Sequence, residues 1–180
     1  QALLIGAGAG SGKTRVLTRR IAWLLAHGFW ASSILAITFT NKAAAEMRER
    51  LVTLVGPEAE HMWISTFHSA CVRILRRDIE RLGFARSFTI YDTDDSLRVI
   101  KDILKDMSLD EKEFQPRSVL AIISNAKDKD QSPAAFAQAA KASYDWRMPR
   151  IAEIYAGYTR RMREANALDF DDIILHAVHL

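Results

Sequence analysis

The first half of the chain mixes two kinds of apolar pattern, and the second half shows only one. Short apolar runs at residues 2–5, 34–39, 62–66 and 88–91 fit strands, the second mostly apolar and so a buried one. Between them, apolar residues recur at helical spacing. Leu17, Ile21, Leu24 and Leu25 share one face, with Gly28 as a stop, and Val72, Leu75, Ile79 and Leu82 share another, with Gly83 as a stop. A third helix is expected from Lys42 to about Leu54, with Thr40 and Asn41 as its cap. Strands alternating with helices predict parallel pairing through right-handed crossovers, which places ligands at the carboxyl ends of the strands.

From Asp92 the strand-like runs cease. Asp92 or Thr93 caps a helix whose Leu97, Ile100, Ile103, Leu104 and Met107 face inward. Residues 117–126 follow Pro116 as a helix, and Ser132-Pro133 opens another over 134–142. Ile151, Ile154, Tyr155, Tyr158 and Met162 mark a longer helix ending near Asn166, and the polar stretch 127–132 reads as a loop. The expected class is therefore α/β followed by an all-helical subdomain. Both ends look cut, since Gln1 stands directly before a strand and Leu180 interrupts an apolar helix.

Composition sharpens this picture only in places. An apolar fraction of 49% with 26% charged residues is that of a globular domain, and no run reaches the roughly 20 residues a membrane span needs. The single cysteine, Cys71, excludes an internal disulfide, suits a reducing, cytoplasmic setting, and falls on a helix where core packing is its expected role. The net charge of +3 hides an asymmetry: residues 1–90 carry 12 Lys and Arg against 6 Asp and Glu, while residues 91–180 carry 13 against 16. A basic first half suits a polyanionic partner.

Candidate chemistry centres on residues 7–14, AGAGSGKT, between the first strand and the first helix. This is a phosphate-binding loop, in which backbone N–H groups turn inward at a helix N-terminus and side chains would obstruct the approach. Gly8, Gly10 and Gly12 remove that obstruction, and Lys13 brings a mobile charge to the β- and γ-phosphates. Thr14 brings a hydroxyl for Mg²⁺. Ala7 stands where the general pattern has glycine.

Two strand ends are also polar and aromatic. Phe39 reads equally as a core ring or a stacking face, and Asn41 as a cap or a donor to phosphate. Thr66, Phe67 and His68 sit where the next strand meets its helix, with His68 either capping or contacting a ligand. Asp169, Asp171 and Asp172 could suggest a metal, but their spacing suits a helix start whose carboxylates cap N–H groups. The arginines at 73, 76 and 77 lie opposite an apolar stripe, as on a solvated face.

Taken together, the loop, residues 37–44 (ITFTNKAA), 65–69 (STFHS) and 168–172 (LDFDD) resemble the UvrD/PcrA/Rep superfamily 1 DNA helicases. The resemblance covers nearly the whole chain, and Ala7 agrees with the family's own form of the loop. It implies a P-loop, RecA-like parallel sheet with helices on both faces and an all-helical insertion. The implied layout is motor domain 1A over 1–92, subdomain 1B over 93–166, and a return to 1A over 167–180 that stops before the Walker B motif. It further implies ATP and Mg²⁺ held by Ala7, Gly8, Ala9, Gly10, Ser11, Gly12, Lys13, Thr14 and Arg15, with Lys13 and Thr14 in catalysis and Thr14 reaching Mg²⁺ through ATP. DNA contacts would come from Phe39, Thr40, Asn41, Thr66, Phe67 and His68.

The implied activity is ATP-dependent 3′ to 5′ translocation on single-stranded DNA and at junctions with duplex, in DNA repair or replication, with no membrane partner. The only Asp-Glu pair, Asp110-Glu111, lies at a helix end and not at a strand end, so this segment alone is expected to bind nucleotide weakly without turnover. Rival readings are a helicase subunit of a helicase-nuclease, a nucleotide-gated DNA-binding module without unwinding, and a small-molecule P-loop kinase. The kinase would leave residues 38–42 and 65–69 unexplained.

Overall fold

The computed structural model describes Gly6 and residues 12–180. The expected strand at 2–5 and residues 7–11 of the phosphate loop lie outside the described residues. The elements are α1 (Lys13–Ala26), β1 (Leu35–Thr38), α2 (Asn41–Val55), β2 (Trp63–Thr66), α3 (Phe67–Asp78), β3 (Thr89–Ile90), α4 (Thr93–Asp106), α5 (Pro116–Asp128), α6 (Pro133–Lys141), α7 (Met148–Glu164), β4 (Ala167–Leu168) and α8 (Phe170–His179). The chain divides into two compact units, Gln1–Ala70 and Cys71–Leu180.

In the first unit β1 and β2 pair in parallel, Leu35 opposite Trp63 through Thr38 opposite Thr66. Ile21 of α1, Met47 and Leu51 of α2, and Ala36 and Ile64 of the strands form its small core, together with Ala44, Ala59 and Met62. Arg48 donates to the carbonyl of Ile64 at 2.8 Å, tying α2 to the strand beneath it. Helix α1 ends as its sequence requires: Gly28 takes φ 84°, and the N–H groups of His27, Gly28 and Phe29 return to the carbonyls of the last turn. Leu17, expected on the buried face, is instead exposed while Ile21 is buried.

The second unit is helical around a larger core. Ile100, Leu104, Val119, Ile123, Ile151, Ile154 and Tyr158, from α4, α5 and α7, are each at most 2% exposed. Burying an aliphatic side chain of this size contributes about 1.5–3 kcal/mol. Gly157 of α7 faces Ile103 of α4, and a Cβ there would make an ordinary van der Waals contact at 3.6 Å. The apolar run 72–82 does not continue as one helix: α3 ends at Asp78 and a 3-10 turn, Ile79–Leu82, carries it to Gly83 at φ 81°.

Three sequence expectations are corrected here. The strand run 88–91 is realised only as Thr89–Ile90, and it finds a parallel partner that the pattern did not reveal, Ala167–Leu168. Two residues are too few to show a period, so the statement that no strand follows Asp92 fails on this pair. Asn166 makes it possible, sitting at φ 48° with its side-chain oxygen accepting from the N–H of Ala85 at 2.9 Å. Last, Lys127 does not belong to a loop; α5 runs through Asp128, and Lys127 is 5% exposed.

Candidate nucleic-acid interface

The register of the first unit decides what stands together. Because Thr38 and Thr66 are paired neighbours in parallel strands, the chain leaves both strands on the same side. The residues that follow, Phe39-Thr40-Asn41 and Phe67-His68, are thereby gathered at one strand-end surface. A strand run through Phe39 would have turned its ring by the strand's alternation; the chain bends there instead, and the ring stands out in solvent, 91% exposed. Phe67 is 47% exposed, and the two ring centroids are 5.9 Å apart at 60°. Of the two readings of Phe39, core ring and exposed face, the structure realises the second.

Helix N-termini frame these rings. The Thr40 hydroxyl accepts from the N–H of Ala43 at 3.1 Å and so caps α2, while Thr38 donates to the carbonyl of Thr40 at 3.1 Å and holds the bend. Thr66 does the same for α3, accepting from the N–H of Ser69 at 3.3 Å with its hydroxyl 2.9 Å from that of Ser69. Asn41 and His68 are exposed in the first turns. Neither α2 nor α3 carries an acidic residue in its first turn, which leaves the positive end of each helix dipole uncompensated by carboxylate. Rings for bases and helix N-termini for phosphates are the two components of single-strand recognition.

The nucleotide side is described from Gly12 onward. Gly12 is the N-cap of α1 at φ 80°, a conformation that glycine alone adopts without strain. Lys13, Thr14 and Arg15 follow, all exposed, again without an acidic residue in the first turn. This end of α1 fits a polyphosphate with its Mg²⁺. Residues Ala7, Gly8, Ala9, Gly10 and Ser11 lie outside the described residues.

The acidic run of the second unit forms a helix cap. Among the described residues no group of His, Cys, Asp and Glu is placed to hold an ion. Asp169 caps α8, accepting from the N–H of Asp172 at 2.8 Å, and Asp172 answers at the N–H of Asp169. The box is buried, so it requires a counter-charge: the Lys127 ammonium lies 2.6 Å from both Asp169 and Asp172, and the Tyr158 hydroxyl donates to Asp169 at 2.8 Å. Burial alone would lower Lys127, yet the two carboxylates hold it above its ordinary value. Burial pushes Asp172 up to about 6 against the pull of Lys127, with the charge of Asp169 adding to the rise. Asp169 resists burial through Lys127, and its carboxyl stays below the usual range.

The sequence reading also passed over Phe170. It stands between the two clasped carboxylates, 49% exposed, on the rim of a cavity of about 480 Å³ shared with Tyr91, Ser96 and Arg117. No local signal marked it: three and four residues before Ile173 and Ile174, it lies on the apolar side of α8 by helical spacing, and only the tertiary structure leaves it half exposed.

Comparison with known proteins agrees with this geometry. The chain matches the UvrD/REP helicase N-terminal domain over residues 1–180. It is 54% identical over 179 residues to the ATP-dependent DNA helicase PcrA of Bacillus subtilis (strain 168), covering 99% of this chain and 24% of that protein. It is 52% identical, with the same coverage, to the ATP-dependent DNA helicases PcrA of Staphylococcus aureus (strain Mu50) and Staphylococcus epidermidis. The chain thus spans about a quarter of the length of these relatives. With a family match along its entire length and the strand-end surface that its motifs build, this chain belongs to the UvrD/REP helicase family, as its N-terminal domain.

Proposed function

We propose that this chain is the ATP- and DNA-binding N-terminal part of an ATP-dependent DNA helicase that moves 3′ to 5′ along single-stranded DNA, in DNA repair or replication in the cytoplasm. The observation that carries the reading is the strand-end surface: two exposed rings, Phe39 and Phe67, between the N-termini of α2 and α3. On it Phe39 and Phe67 stack on bases, while Thr40, Asn41, Thr66 and His68 hold phosphates through hydroxyl, amide, imidazole and backbone N–H donors. Residues 7–15 hold ATP, with the Lys13 ammonium at its outer phosphates and the Thr14 hydroxyl toward Mg²⁺. ATP with Mg²⁺ supplies the free energy of phosphoryl transfer. The chain's own groups bind, orient and neutralise charge.

The same reading assigns residues 1–92 to a RecA-like P-loop motor domain, 93–166 to an inserted helical subdomain, and 167–180 to the return. The pairing of β3 with β4 supports it, since the helical stretch α4–α7 leaves from one strand and comes back to its neighbour. Among the described residues no helix is long and apolar enough to cross a membrane.

DNA-stimulated ATPase activity of the full reading frame that contains this chain tests the proposal, with Lys13→Ala and Phe39→Ala beside the unaltered protein. Turnover that rises strongly with single-stranded DNA, vanishes with Lys13→Ala, and needs about ten-fold more DNA with Phe39→Ala is expected. Turnover indifferent to DNA would sink the motor reading and favour a kinase. DNA binding without turnover would leave a nucleotide-gated binding module.

A further inference from the structure

Phe39 and Phe67 take their places from different elements. Phe39 lies inside the bend that starts α2: the Thr40 hydroxyl caps that helix at the N–H of Ala43, and the Thr38 hydroxyl donates to the Thr40 carbonyl, each at 3.1 Å. Its ring therefore moves with the first turn of α2. Phe67 follows β2 with no intervening residue and opens α3, so its ring moves with the strand. Whatever fixes α2 against β2 fixes one ring against the other.

Met47 and Leu51 of α2 share a core with Ile64 of β2, but apolar contact is non-directional and presses the helix onto the strand without specifying one tilt. Arg48 adds a directional tie. Half-buried on α2, it donates from Nη2 to the carbonyl of Ile64 at 2.8 Å. That carbonyl needs a donor other than β1. The N–H of Trp63 goes to the carbonyl of Ile34, on the β1 side, so the peptide groups of Ile64 face the other way, and Ile64 is buried. Arg48 stands about two turns after Asn41, and Ile64 three residues before Phe67. The bond thus joins positions 16 residues apart in the chain and closes a short path from one ring to the other.

We propose that Arg48 is a positioning residue for single-strand binding: its bond to the Ile64 carbonyl holds the tilt of α2 on β2 and so keeps the Phe39 and Phe67 rings at the separation that bases stack on. Arg48 acts through the rings and touches no DNA itself. The two centroids stand 5.9 Å apart at 60°, an arrangement that a small rotation of α2 would change. A surface held ready in this way binds without first having to order its rings. The inference rests on the proposed function in taking the strand-end surface as the single-strand site.

The test is a double-mutant cycle in the full reading frame that contains this chain. The parent, Arg48→Met, Phe39→Ala and the double variant are each titrated with an oligothymidylate by fluorescence anisotropy across a salt series. Arg48→Met should weaken binding about five-fold with an unchanged log–log salt slope, because a ring is displaced and no phosphate contact is lost. Phe39→Ala should weaken it about ten-fold and the double variant no further, since the arginine works through that ring. Arg48→Lys, which keeps a donor on a long stem, should stay within about two-fold of the parent. Arg48→Gln, too short to reach the carbonyl, stands in for the methionine if that variant fails to fold. Effects of Arg48→Met and Phe39→Ala that simply multiply would make Arg48 structural only, and a slope shallower by about 1 would make it a direct phosphate contact; either result overturns the proposal. Binding weakened by Phe39→Ala but indifferent to Arg48→Met overturns this inference and leaves the strand-end reading standing. Binding untouched by Phe39→Ala takes down both.

Discussion

The two units use one local device, a side-chain cap on a helix that follows a strand, to opposite ends. In the first unit Thr40 and Thr66 cap α2 and α3 in the open, with the Phe39 and Phe67 rings standing in solvent beside them. In the second, Asp169 and Asp172 cap α8 in the interior and are closed over by Lys127 and Tyr158. An exposed cap can be a neutral hydroxyl and leaves its surroundings to a ligand. A buried carboxylate cap must find its counter-charge within the protein, so every donor around it is already committed. The contrast teaches that a cap motif alone does not mark a binding surface; what marks it is whether the tertiary structure closes over the cap.

The most forceful way to break this contrast is Lys127→Met, which strands two carboxylates in the core. A loss of about 3–5 kcal/mol is expected by urea unfolding, and the triple variant with Asp169→Asn and Asp172→Asn should recover most of it. A single variant as stable as the parent would mean the buried cluster is not held by charge. Phe39→Ala sharpens the other side. It should change stability by less than about 0.5 kcal/mol while weakening oligothymidylate binding by about 1–3 kcal/mol; a large stability loss would return the ring to the core.

Smaller effects follow from the hydrogen bonds at element ends. Asn166→Ala loses the bond to Ala85 and the short polar side chain that lets asparagine tolerate φ 48°, for an expected loss of about 1–2 kcal/mol, with Asn166→Gly in between. Thr40→Ala should cost about 1 kcal/mol, and Thr40→Ser almost nothing. Thermal unfolding separates these pairs.

The gentlest test is pH. Burial pulls His176 from 6.5 down to about 4, with Lys127, His179 and Arg163 adding to the fall. Between those values the unfolded chain takes up a proton that the folded one refuses, so this group makes stability rise with pH. Asp172 acts in reverse. Pushed from 3.8 up to about 6, it keeps a proton in the folded state that the unfolded chain has released, and its contribution falls as pH rises through that window. The two slopes oppose one another between about pH 4 and 6. His176→Gln should therefore tilt the profile, giving urea midpoints that decline from pH 4 to 6 relative to the parent; an identical profile would remove His176 from the balance.

Much of this was legible beforehand for stated reasons. Helices α4 to α7 carry apolar stripes over several turns, which the period alone reveals, and their starts at Asp92, Pro116 and Pro133 follow from cap and proline chemistry. The strand-end residues were found because polar and aromatic types cluster where an apolar run stops. Lys127 was misread because a polar residue among Asn, Asp and Gln looks like loop when nothing local reports a partner 42 positions away. The pair β3–β4 escaped because its two-residue strands have no period to detect.

By itself, then, the sequence determined the alternation of strands and helices and the caps, since each depends on residues within a few positions of one another, and the family, through short motifs kept in order along the chain. The tertiary structure decided which strands are neighbours, that Phe39 stands outside, and that Asp169 and Asp172 are buried against Lys127. Those outcomes depend on desolvation and Coulomb interaction between groups far apart in the chain, and both are fixed only when folding sets the distances and excludes the water.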